Sequence, residues 1–283
     1  ALKCASRIAG NEHLNQGVRV TLLRRRGVMT GSGRSQANRM YEKIRSVRRR
    51  TVKNSGRFLL ETLAGFIGRQ SLIGDQPVFD RSVFPWIPEL ESNWQEIRAE
   101  LNQVLESRDR LPSFHQVSPY QKRISKGDNW KTFVLHVFGD RFQPNCQRCP
   151  QTVRQLERIP GLRNAGFSIL APHYRIPPHR GPTNGIVRIH LALKIPKDDE
   201  NCWIRVDDQI LHWTVGECIV FDDFYEHEVQ NNTDEERVVL FFDVDRPMRL
   251  PGRLLTQSLI IGLKHSAYVR DPVRNLREWE RGQ

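Results

Sequence analysis

Two histidines and an arginine in the second half of the chain have the spacing of a metal centre with an anion-binding group behind it. His179 and His227 lie 48 positions apart, each beside a strand-like run, and Arg237 follows His227 by ten positions. Neutral imidazole suits Fe(II), and two histidines plus an oxygen ligand, with coordination positions left open, make an oxygen-activating centre. The spacing therefore predicts a mononuclear iron site with a carboxylate-binding arginine.

The segments around these residues indicate a helical lead-in followed by strands. Apolar residues at helical spacing predict a helix over Leu90–Ser107, and a second helix is expected over Pro150–Arg158. Six β-branched or aromatic runs predict strands at Trp130–Phe138, Gly166–Leu170, Ile186–Ile195, Cys202–Val206, Glu217–Phe221 and Val238–Val244. Short strands after helices favour a two-sheet β-barrel of the jelly-roll type, buttressed on one side by the N-terminal helices.

Six segments carry the most specific pattern in the chain, and they extend from about Asn93 to Pro247. They are W-K-T-F-V-L at 130–135, C-P-Q-T-V at 149–153, F-S-I-L at 167–170, P-H-R-G-P-T-N-G-I-V-R-I-H-L-A-L-K-I-P at 178–196, W-T-V-G-E-C-I-V-F-D-D-F-Y-E-H-E-V at 213–229, and R-V-V-L-F-F-D-V-D-R-P at 237–247. In this order they resemble the aspartyl/asparaginyl β-hydroxylase family. The resemblance implies a mainly β double-stranded β-helix (jelly-roll or cupin-like). It also implies a dioxygenase that uses Fe(II), 2-oxoglutarate and O2 to hydroxylate an unactivated carbon.

The resemblance makes His179 and His227 the iron ligands. The wider dioxygenase superfamily places an acidic ligand two positions after the first histidine, where this chain has Gly181 and where the resembled family also lacks a carboxylate. With two protein ligands, water or 2-oxoglutarate must fill more of the coordination sphere. Asp223 matches the acid that would hold such a water in place, and Asp222 is its less favoured neighbour.

The resemblance also assigns residues to 2-oxoglutarate. Arg237 and Ser168 match the positions that bind its distal carboxylate, and Arg188 and His190 match those that hold the end chelating the metal. Arg188 and His190 are two positions apart in a strand-like run, so both side chains are expected on the same face. A shared anion would require that arrangement.

The remaining cysteines and histidines do not form a second recognisable site. The chain has five cysteines, of which only Cys146 and Cys149 form a C-x-x-C pair. A structural zinc site would need a second pair, so reduced, ordinary thiols are expected, with redox chemistry as the alternative. His173 and His212 have no counterpart in the family and are expected to be ordinary polar residues.

The net charge of +12 belongs to an N-terminal arm. Residues 1–60 contain 15 Lys/Arg and only two acidic residues, Glu12 and Glu42, whereas residues 61–283 contain 29 basic and 30 acidic residues. Few apolar residues are available to pack there, so residues 1–75 are predicted to be a basic, partly disordered arm. Residues 76–283 are predicted to form the dioxygenase domain. The arm is compatible with a solvated tail, with binding of phosphate or anionic lipid, and with an organellar transit segment.

The apolar segment Phe58–Gly74 falls short of the roughly 20 apolar residues of a membrane-spanning helix. It would pack on the domain or lie on a membrane surface beside the arm. The second reading predicts a cytoplasmic protein in peripheral contact with an anionic membrane through residues 1–74. Its substrate would then be a lipid acyl chain, such as that of lipid A; the alternative is Asp or Asn in a peptide, protein or free amino acid.

Two other classes of function are compatible with parts of the pattern. Gly181 in place of a metal carboxylate would leave room for chloride, as in an oxidative halogenase. A non-catalytic barrel with a basic arm would instead bind nucleic acid, but such a scaffold has no need of His179, His227 and Arg237 together. The hydroxylase is therefore the preferred interpretation, and nucleic acid is not the expected partner.

Overall fold

The computed structural model describes residues 62–281, and its strands form two antiparallel sheets. The strands are β1 (Val78–Phe79), β2 (Trp130–Val137), β3 (Asp140–Arg141), β4 (Leu162–Leu170), β5 (Tyr174–His179), β6 (Ile186–Lys194), β7 (Cys202–Val206), β8 (Gln209–His212), β9 (Cys218–Phe221), β10 (His227–Asn231) and β11 (Arg237–Asp245). The helices are α1 (62–70), α2 (Ile87–Ser92), α3 (Trp94–Leu105), α4 (Phe114–Val117), α5 (Gln143–Arg148), α6 (Pro150–Glu157), α7 (Leu250–Lys264) and α8 (Ala267–Arg281).

The chain passes back and forth between the two sheets from β4 onwards. The larger sheet has the order β1-β9-β6-β11-β4-β2-β3, and the smaller one has the order β5-β10-β7-β8. Consecutive strands therefore cross between the sheets at almost every step, as in a double-stranded β-helix. The predicted mainly β, jelly-roll fold is confirmed.

The strands of the larger sheet are buried on both faces, so their sequences are nearly continuous apolar runs. On β6, Ile189 and Leu191 pack toward the helices, whereas Ala192 packs in the cluster between the two sheets. On β11 the same alternation places Leu240 toward the helices and Val239 toward the smaller sheet. Polar residues that share a face with these interior positions therefore project into the barrel.

Helices α2, α3 and α6 cover the outer face of the larger sheet, as the prediction of N-terminal buttressing helices required. Ile97 and Leu101 of α3 are fully buried in the cluster that this layer forms with the sheet. Glu100 accepts hydrogen bonds from the backbone N–H groups of Gln151 and Thr152, at 2.7 and 2.8 Å. Its carboxylate thereby satisfies donors at the start of α6, where negative charge is favoured.

The prediction of a single helix over Leu90–Ser107 is wrong in one respect. The structure has two helices there, and the break falls at Asn93. The Asn93 amide donates to the carbonyl oxygen of Glu89 at 2.7 Å. A short polar side chain that bonds the preceding turn offers the backbone an alternative to continuing the helix.

Helix α1 packs against the domain, which is one of the two readings of the segment 58–74. Ile67 is 1% exposed. The backbone N–H of Leu72 donates to the carbonyl of Pro247 at 2.9 Å, and the N–H of Arg249 donates to the carbonyl of Gln70 at 2.9 Å. Residues 58–61, and the arm before them, lie outside the described residues, and the boundary near residue 75 stays a prediction.

Two C-terminal helices, α7 and α8, were not predicted. They pack on one side of the barrel through residues such as Ile260, Val269 and Leu276. Across residues 62–281, no helix combines the length and the apolar character that crossing a membrane requires.

Candidate active site

The two predicted metal ligands are partners across neighbouring strands. His179 is the last residue of β5 and His227 is the first of β10, and the two are paired in the antiparallel register. Their ring centroids lie 4.1 Å apart, with the ring planes inclined by 52°. The pairing of β5 with β10 in the smaller sheet thus brings together two histidines that are 48 positions apart in sequence.

Hydrogen bonds to backbone carbonyls orient both imidazoles. Nδ1 of His179 lies 2.9 Å from the carbonyl oxygen of Pro177, and Nδ1 of His227 lies 3.0 Å from that of Tyr225. Because a carbonyl can only accept, each Nδ1 must carry the proton, and each Nε2 keeps a free lone pair. That is the tautomer a metal-binding histidine needs.

Burial also keeps the two rings neutral. It lowers the pKa of His179 to about 4, with a smaller lowering from the charge of Arg188. Burial, followed by the neighbouring His179, holds the pKa of His227 well below its usual value. Neutral imidazole is the form that binds a metal ion.

Arg237 is a buried cation without an acidic partner. Its side chain is almost completely buried, and it donates to the carbonyl and hydroxyl oxygens of Ser168, both at 3.4 Å. The guanidinium lies 4.9 Å above the ring of Trp213, and Nε has no hydrogen-bond partner. Within residues 62–281 no carboxylate pairs with it, and burial lowers the pKa of Arg237 to about 10.

Arg188 is instead neutralised by two aspartates. Its Nε and Nη2 contact the carboxylate of Asp243 at 2.7 and 3.0 Å, and Nη1 lies 3.1 Å from Asp223. Burial alone would lower the pKa of Arg188, but these two charges raise it. His190, two residues along β6, packs 5.0 Å from Phe221 edge to face, and its Nδ1 has no partner.

Asp223 fills the space that Gly181 leaves. The N–H of Gly181 donates to the carbonyl of Asp223 at 2.6 Å. A Cβ at position 181 would lie 2.3 Å from Oδ1 of Asp223, so a side chain there would collide with the carboxylate. Burial raises the pKa of Asp223 to about 7, opposed by the charge of Arg188. Asp222 does not line the cavity; it forms a buried ion pair with Arg246.

All seven residues predicted for the site line one cavity of about 120 Å³. They are Ser168, His179, Arg188, His190, Asp223, His227 and Arg237. In the part of the chain that the structure describes, no group of three or more His, Cys, Asp or Glu side chains is arranged to hold a metal ion. The assignment of the imidazole pair as the metal ligands stays a prediction, with the remaining coordination positions open to water or co-substrate.

The sequence did not indicate three aromatic side chains at the site. Trp213 lies beneath Arg237, Trp130 donates from Nε1 to Ser168 Oγ at 3.0 Å, and Tyr268 of α8 lines the cavity. Trp130 and Trp213 belong to segments that match the family pattern, but a tryptophan in or beside a strand more often packs in the hydrophobic core than lines a functional site. Tyr268 lies in an amphipathic pattern with Val269, Val273 and Leu276, which would have indicated α8.

The residues expected to be ordinary lie apart from the cavity. His173 contacts Asp234 at 2.8 Å on the surface, and His212 contacts the carbonyl of Asp199 at 3.0 Å. Cys146 and Cys149 are free, buried thiols, as are the other two cysteines among residues 62–281. Burial raises the pKa of Cys149 to about 12.

Known proteins match the chain over the region that holds this site. The sequence model of the family described as aspartyl/asparaginyl beta-hydroxylase matches residues 91–247. The ornithine lipid ester-linked acyl 2-hydroxylase of Rhizobium tropici is 42% identical over 209 residues, which cover 74% of this chain and 74% of that protein. The aspartyl/asparaginyl beta-hydroxylase of Homo sapiens is 34% identical over 170 residues, which cover 58% of this chain and 22% of that protein.

Among solved structures, similarity is weaker and partial. A Pseudomonas putida prolyl-4-hydroxylase matches at 17% identity with a TM-score of 0.34, over 55% of this chain and 88% of that one. A 2OG-Fe(II) oxygenase family protein from Burkholderia pseudomallei matches at 13% identity with a TM-score of 0.33, over 42% of this chain and 66% of that one. Structural similarity at these TM-scores gives no information about the chemistry or the substrate of this chain.

Proposed function

We propose that this chain, which belongs to the aspartyl/asparaginyl β-hydroxylase family, is an Fe(II)- and 2-oxoglutarate-dependent hydroxylase of an acyl chain in a membrane lipid. The overall reaction would convert 2-oxoglutarate and O2 to succinate and CO2, with the second oxygen atom inserted into a C–H bond of the substrate. The bound metal and co-substrate would supply the oxidising chemistry. The chain itself binds, orients and shields them.

The observation that carries the proposal is the unpaired cation inside the barrel. A buried arginine without a carboxylate is costly, and the cost falls when an anionic ligand arrives. Arg237 lies in the wall of the cavity that also holds the two imidazoles, with its Nε unsatisfied. The cavity therefore suits a ligand that presents a carboxylate to Arg237 and metal-chelating oxygens to His179 and His227.

The donor set also fits Fe(II). Two neutral imidazoles with free Nε2 lone pairs are suitable ligands, and an open coordination sphere leaves positions for a chelating co-substrate and O2. Asp223 stands beside Gly181, where it would accept a hydrogen bond from a metal-bound water rather than bind the metal itself. Arg188 holds Asp223 and is itself held by Asp243, so the acid is fixed in position.

An acyl chain is favoured over an Asp or Asn side chain by the extent of similarity. The match to the ornithine lipid acyl 2-hydroxylase covers about three quarters of both chains, whereas that to the human beta-hydroxylase covers 22% of the latter. The cavity wall is apolar in large part, with Phe114, Ile124, Ile176 and Phe241 among its residues. Such a wall suits a methylene chain better than a charged side chain.

A halogenase is not favoured by the geometry around Gly181. The space beside this glycine holds the carboxylate of Asp223, and even one added carbon would come within 2.3 Å of it. Chloride would meet both that steric obstacle and the negative charge when Asp223 is ionised. Hydroxylation needs no additional anion there.

Mass spectrometry of lipid extracts tests the proposal. Cells with the wild-type protein are expected to contain acyl lipids heavier by one oxygen atom than cells carrying His227→Ala. The purified protein should form succinate from 2-oxoglutarate in proportion to the hydroxylated lipid. Oxygen gain confined to peptides would instead favour the Asp/Asn hydroxylase, and absence of succinate formation would contradict the dioxygenase assignment.

A further inference from the structure

Helix α7 exposes a row of large apolar side chains. Leu250, Leu254 and Ile261 are 67, 56 and 60% exposed. At about 100° per residue these positions fall within about 40° of one another around the helix, and they extend roughly 16 Å along it. Leu72, 61% exposed, follows α1, whose end is hydrogen-bonded to the chain just before α7. We call the surface formed by these four residues the apolar face.

The apolar face is not the packing side of α7. Gly252, Thr256 and Ile260 are the buried residues of this helix. Gly252 faces the Gln70 side chain so closely that an added Cβ would lie 2.4 Å from it. The helix is thus fixed to the domain by one side while the apolar residues point outwards, with Gln257 between Leu254 and Ile261. Large apolar side chains grouped on an exposed helix side suit an interaction surface.

Positive charge accompanies the apolar face. Arg69, Arg249 and Arg253 are exposed, and none of them forms an ion pair with a residue in 62–281. The sequence of α7 contains no acidic residue. Apolar side chains flanked by unpaired arginines are complementary to a surface that is apolar inside and anionic outside, which describes a bilayer with acidic lipids.

The same charge disfavours two other occupants. Residues 1–60 carry a net charge of +13 and would be repelled by the arginines if they folded over this face. A second copy of the chain would bring its own unpaired arginines against the first set, because a two-fold interface joins like patches. An anionic bilayer relieves both repulsions.

Helix α7, which carries the apolar face, also lies near the candidate active site. Between α1 and α7 lies an apolar hollow lined by Leu63, Ile67 and Leu259, and Pro182 borders both this hollow and the active-site cavity. Helix α8, which follows α7, adds Tyr268 to the cavity wall. Leu259 lies about 180° around α7 from Leu250, so α7 itself stands between the apolar face and this hollow. A bilayer in contact with the apolar face would therefore be one helix away from elements that border the site.

We propose that the apolar face and its three arginines are a docking surface for an anionic lipid bilayer, from which the enzyme takes its acyl substrate. The inference rests on the proposed function for its substrate, but the surface itself is defined by described residues alone. It differs from attachment through the strongly basic residues 1–60, because it assigns binding mainly to side chains of α7, with Arg69 and Leu72 beside them.

Vesicle co-sedimentation of the full chain tests the surface. The probes are vesicles of phosphatidylcholine with and without phosphatidylglycerol, at low and high salt. Leu250→Gln/Leu254→Gln/Ile261→Gln should lower binding to the anionic vesicles by roughly tenfold or more, because three apolar contacts are lost. Arg249→Glu/Arg253→Glu should lower it as well, and its effect should shrink at high salt.

Matched controls separate these effects from general changes of surface. Ile210→Gln and Val215→Gln replace apolar residues that are 57 and 39% exposed and distant in sequence from α7, and Arg154→Glu replaces an exposed arginine on α6. These variants should bind vesicles as the wild type does. Wild-type binding by the triple glutamine variant would overturn the proposal, and so would failure of the wild type to bind anionic vesicles.

Two further measurements test whether the apolar face binds lipid or another copy of the chain, and whether lipid binding serves turnover. If light scattering finds a wild-type dimer that the triple variant converts to monomer, the face is a subunit interface and the proposal fails. Turnover is then compared on lipid in vesicles and on lipid dispersed in detergent. The triple variant should lose activity on vesicles and keep it on lipid in detergent. If the triple variant loses vesicle binding but neither it nor the wild type hydroxylates an acyl chain, the proposed substrate is wrong and the docking surface is still supported.

Discussion

The carboxylate of Asp223 lies against the α-carbon of Gly181, so closely that a Cβ there would be 2.3 Å from Oδ1. Glycine at this position is thus required by a neighbour that is 42 positions away in sequence. The space beside position 181, where the wider dioxygenase superfamily has an acidic ligand, is occupied here by the carboxylate of Asp223. In the proposed site this carboxylate would stand near the metal and hold a water molecule, and it would not be a metal ligand.

Gly181→Ala tests this contact. Asp223 must move away from the added methyl group, and overpacking of this kind costs about 1–3 kcal/mol of the free energy of unfolding. Succinate formation should fall strongly, since the acid loses its position. Gly262→Ala on α7 is the control, because nothing lies within 4 Å of its Cβ; it should leave activity unchanged and slightly raise stability. Full activity of Gly181→Ala would show that Asp223 has no positioning role.

His227→Ala removes one of the two proposed metal ligands. Iron affinity should fall by on the order of 100-fold or more, since loss of even a residue behind a ligand costs 10–100-fold. The measurements are iron content after dialysis and succinate formation. His173→Ala is the matched control, because His173 is an exposed histidine paired with Asp234, and it should retain both. Undiminished succinate production by His227→Ala would reject the ligand assignment.

Arg237→Ala should weaken the binding of 2-oxoglutarate and leave the affinity for iron unchanged. Removing one member of a buried charge pair costs about 2–5 kcal/mol, so the apparent KM for 2-oxoglutarate should rise by more than tenfold. Arg237→Lys should restore only part of the affinity, since an ammonium lacks the planar fork of the guanidinium.

The same variant offers a readout that does not depend on turnover. A ligand at 100 times its Kd stabilises the folded protein by about 2.7 kcal/mol, so 2-oxoglutarate with a redox-inert divalent metal should raise the Tm of the wild type. The rise should disappear in Arg237→Ala while iron content stays normal. An equal rise in both proteins would make Arg237 a structural residue.

The C-x-x-C pair should be unreactive in the folded protein. Burial raises the pKa of Cys149 to about 12, so the thiolate fraction at pH 8 is roughly one in ten thousand, and burial raises the pKa of Cys146 too. Peptide mapping after treatment with a thiol alkylating reagent should find both unmodified, and both labelled after denaturation in urea. Rapid labelling of the native protein, or a disulfide between them, would favour the redox alternative.

Strand positions in the larger sheet could be predicted because both of its faces are buried. β6 and β11 therefore appear in the sequence as long apolar runs, and the polar residues inside them, such as Arg188 and His190, stand out at alternate positions. The family motifs then gave these residues roles. The structure adds that all seven predicted side chains line one cavity.

The smaller sheet was harder to predict. β5 contains Pro177 and Pro178, and β10 has the polar sequence His227–Asn231, so neither has the β-branched composition that indicates a strand. The ion pairs of Arg188 with Asp243 and Asp223 depend on strand register, which the local sequence does not determine. α7 and α8 do carry helical patterns, and Tyr268 was missed with them.

The two sheets divide the proposed site between them. The two proposed metal ligands, His179 and His227, belong to β5 and β10 of the smaller sheet, whereas Ser168, Arg188, His190 and Arg237 belong to strands of the larger one. In evolutionary terms, the two halves are interleaved along one chain, but a substitution can remove one of them and leave the other in place. A descendant that lost either histidine would keep a buried cation in a closed barrel and could persist as a receptor for small carboxylic acids, so one substitution separates an enzyme of this fold from a metabolite sensor.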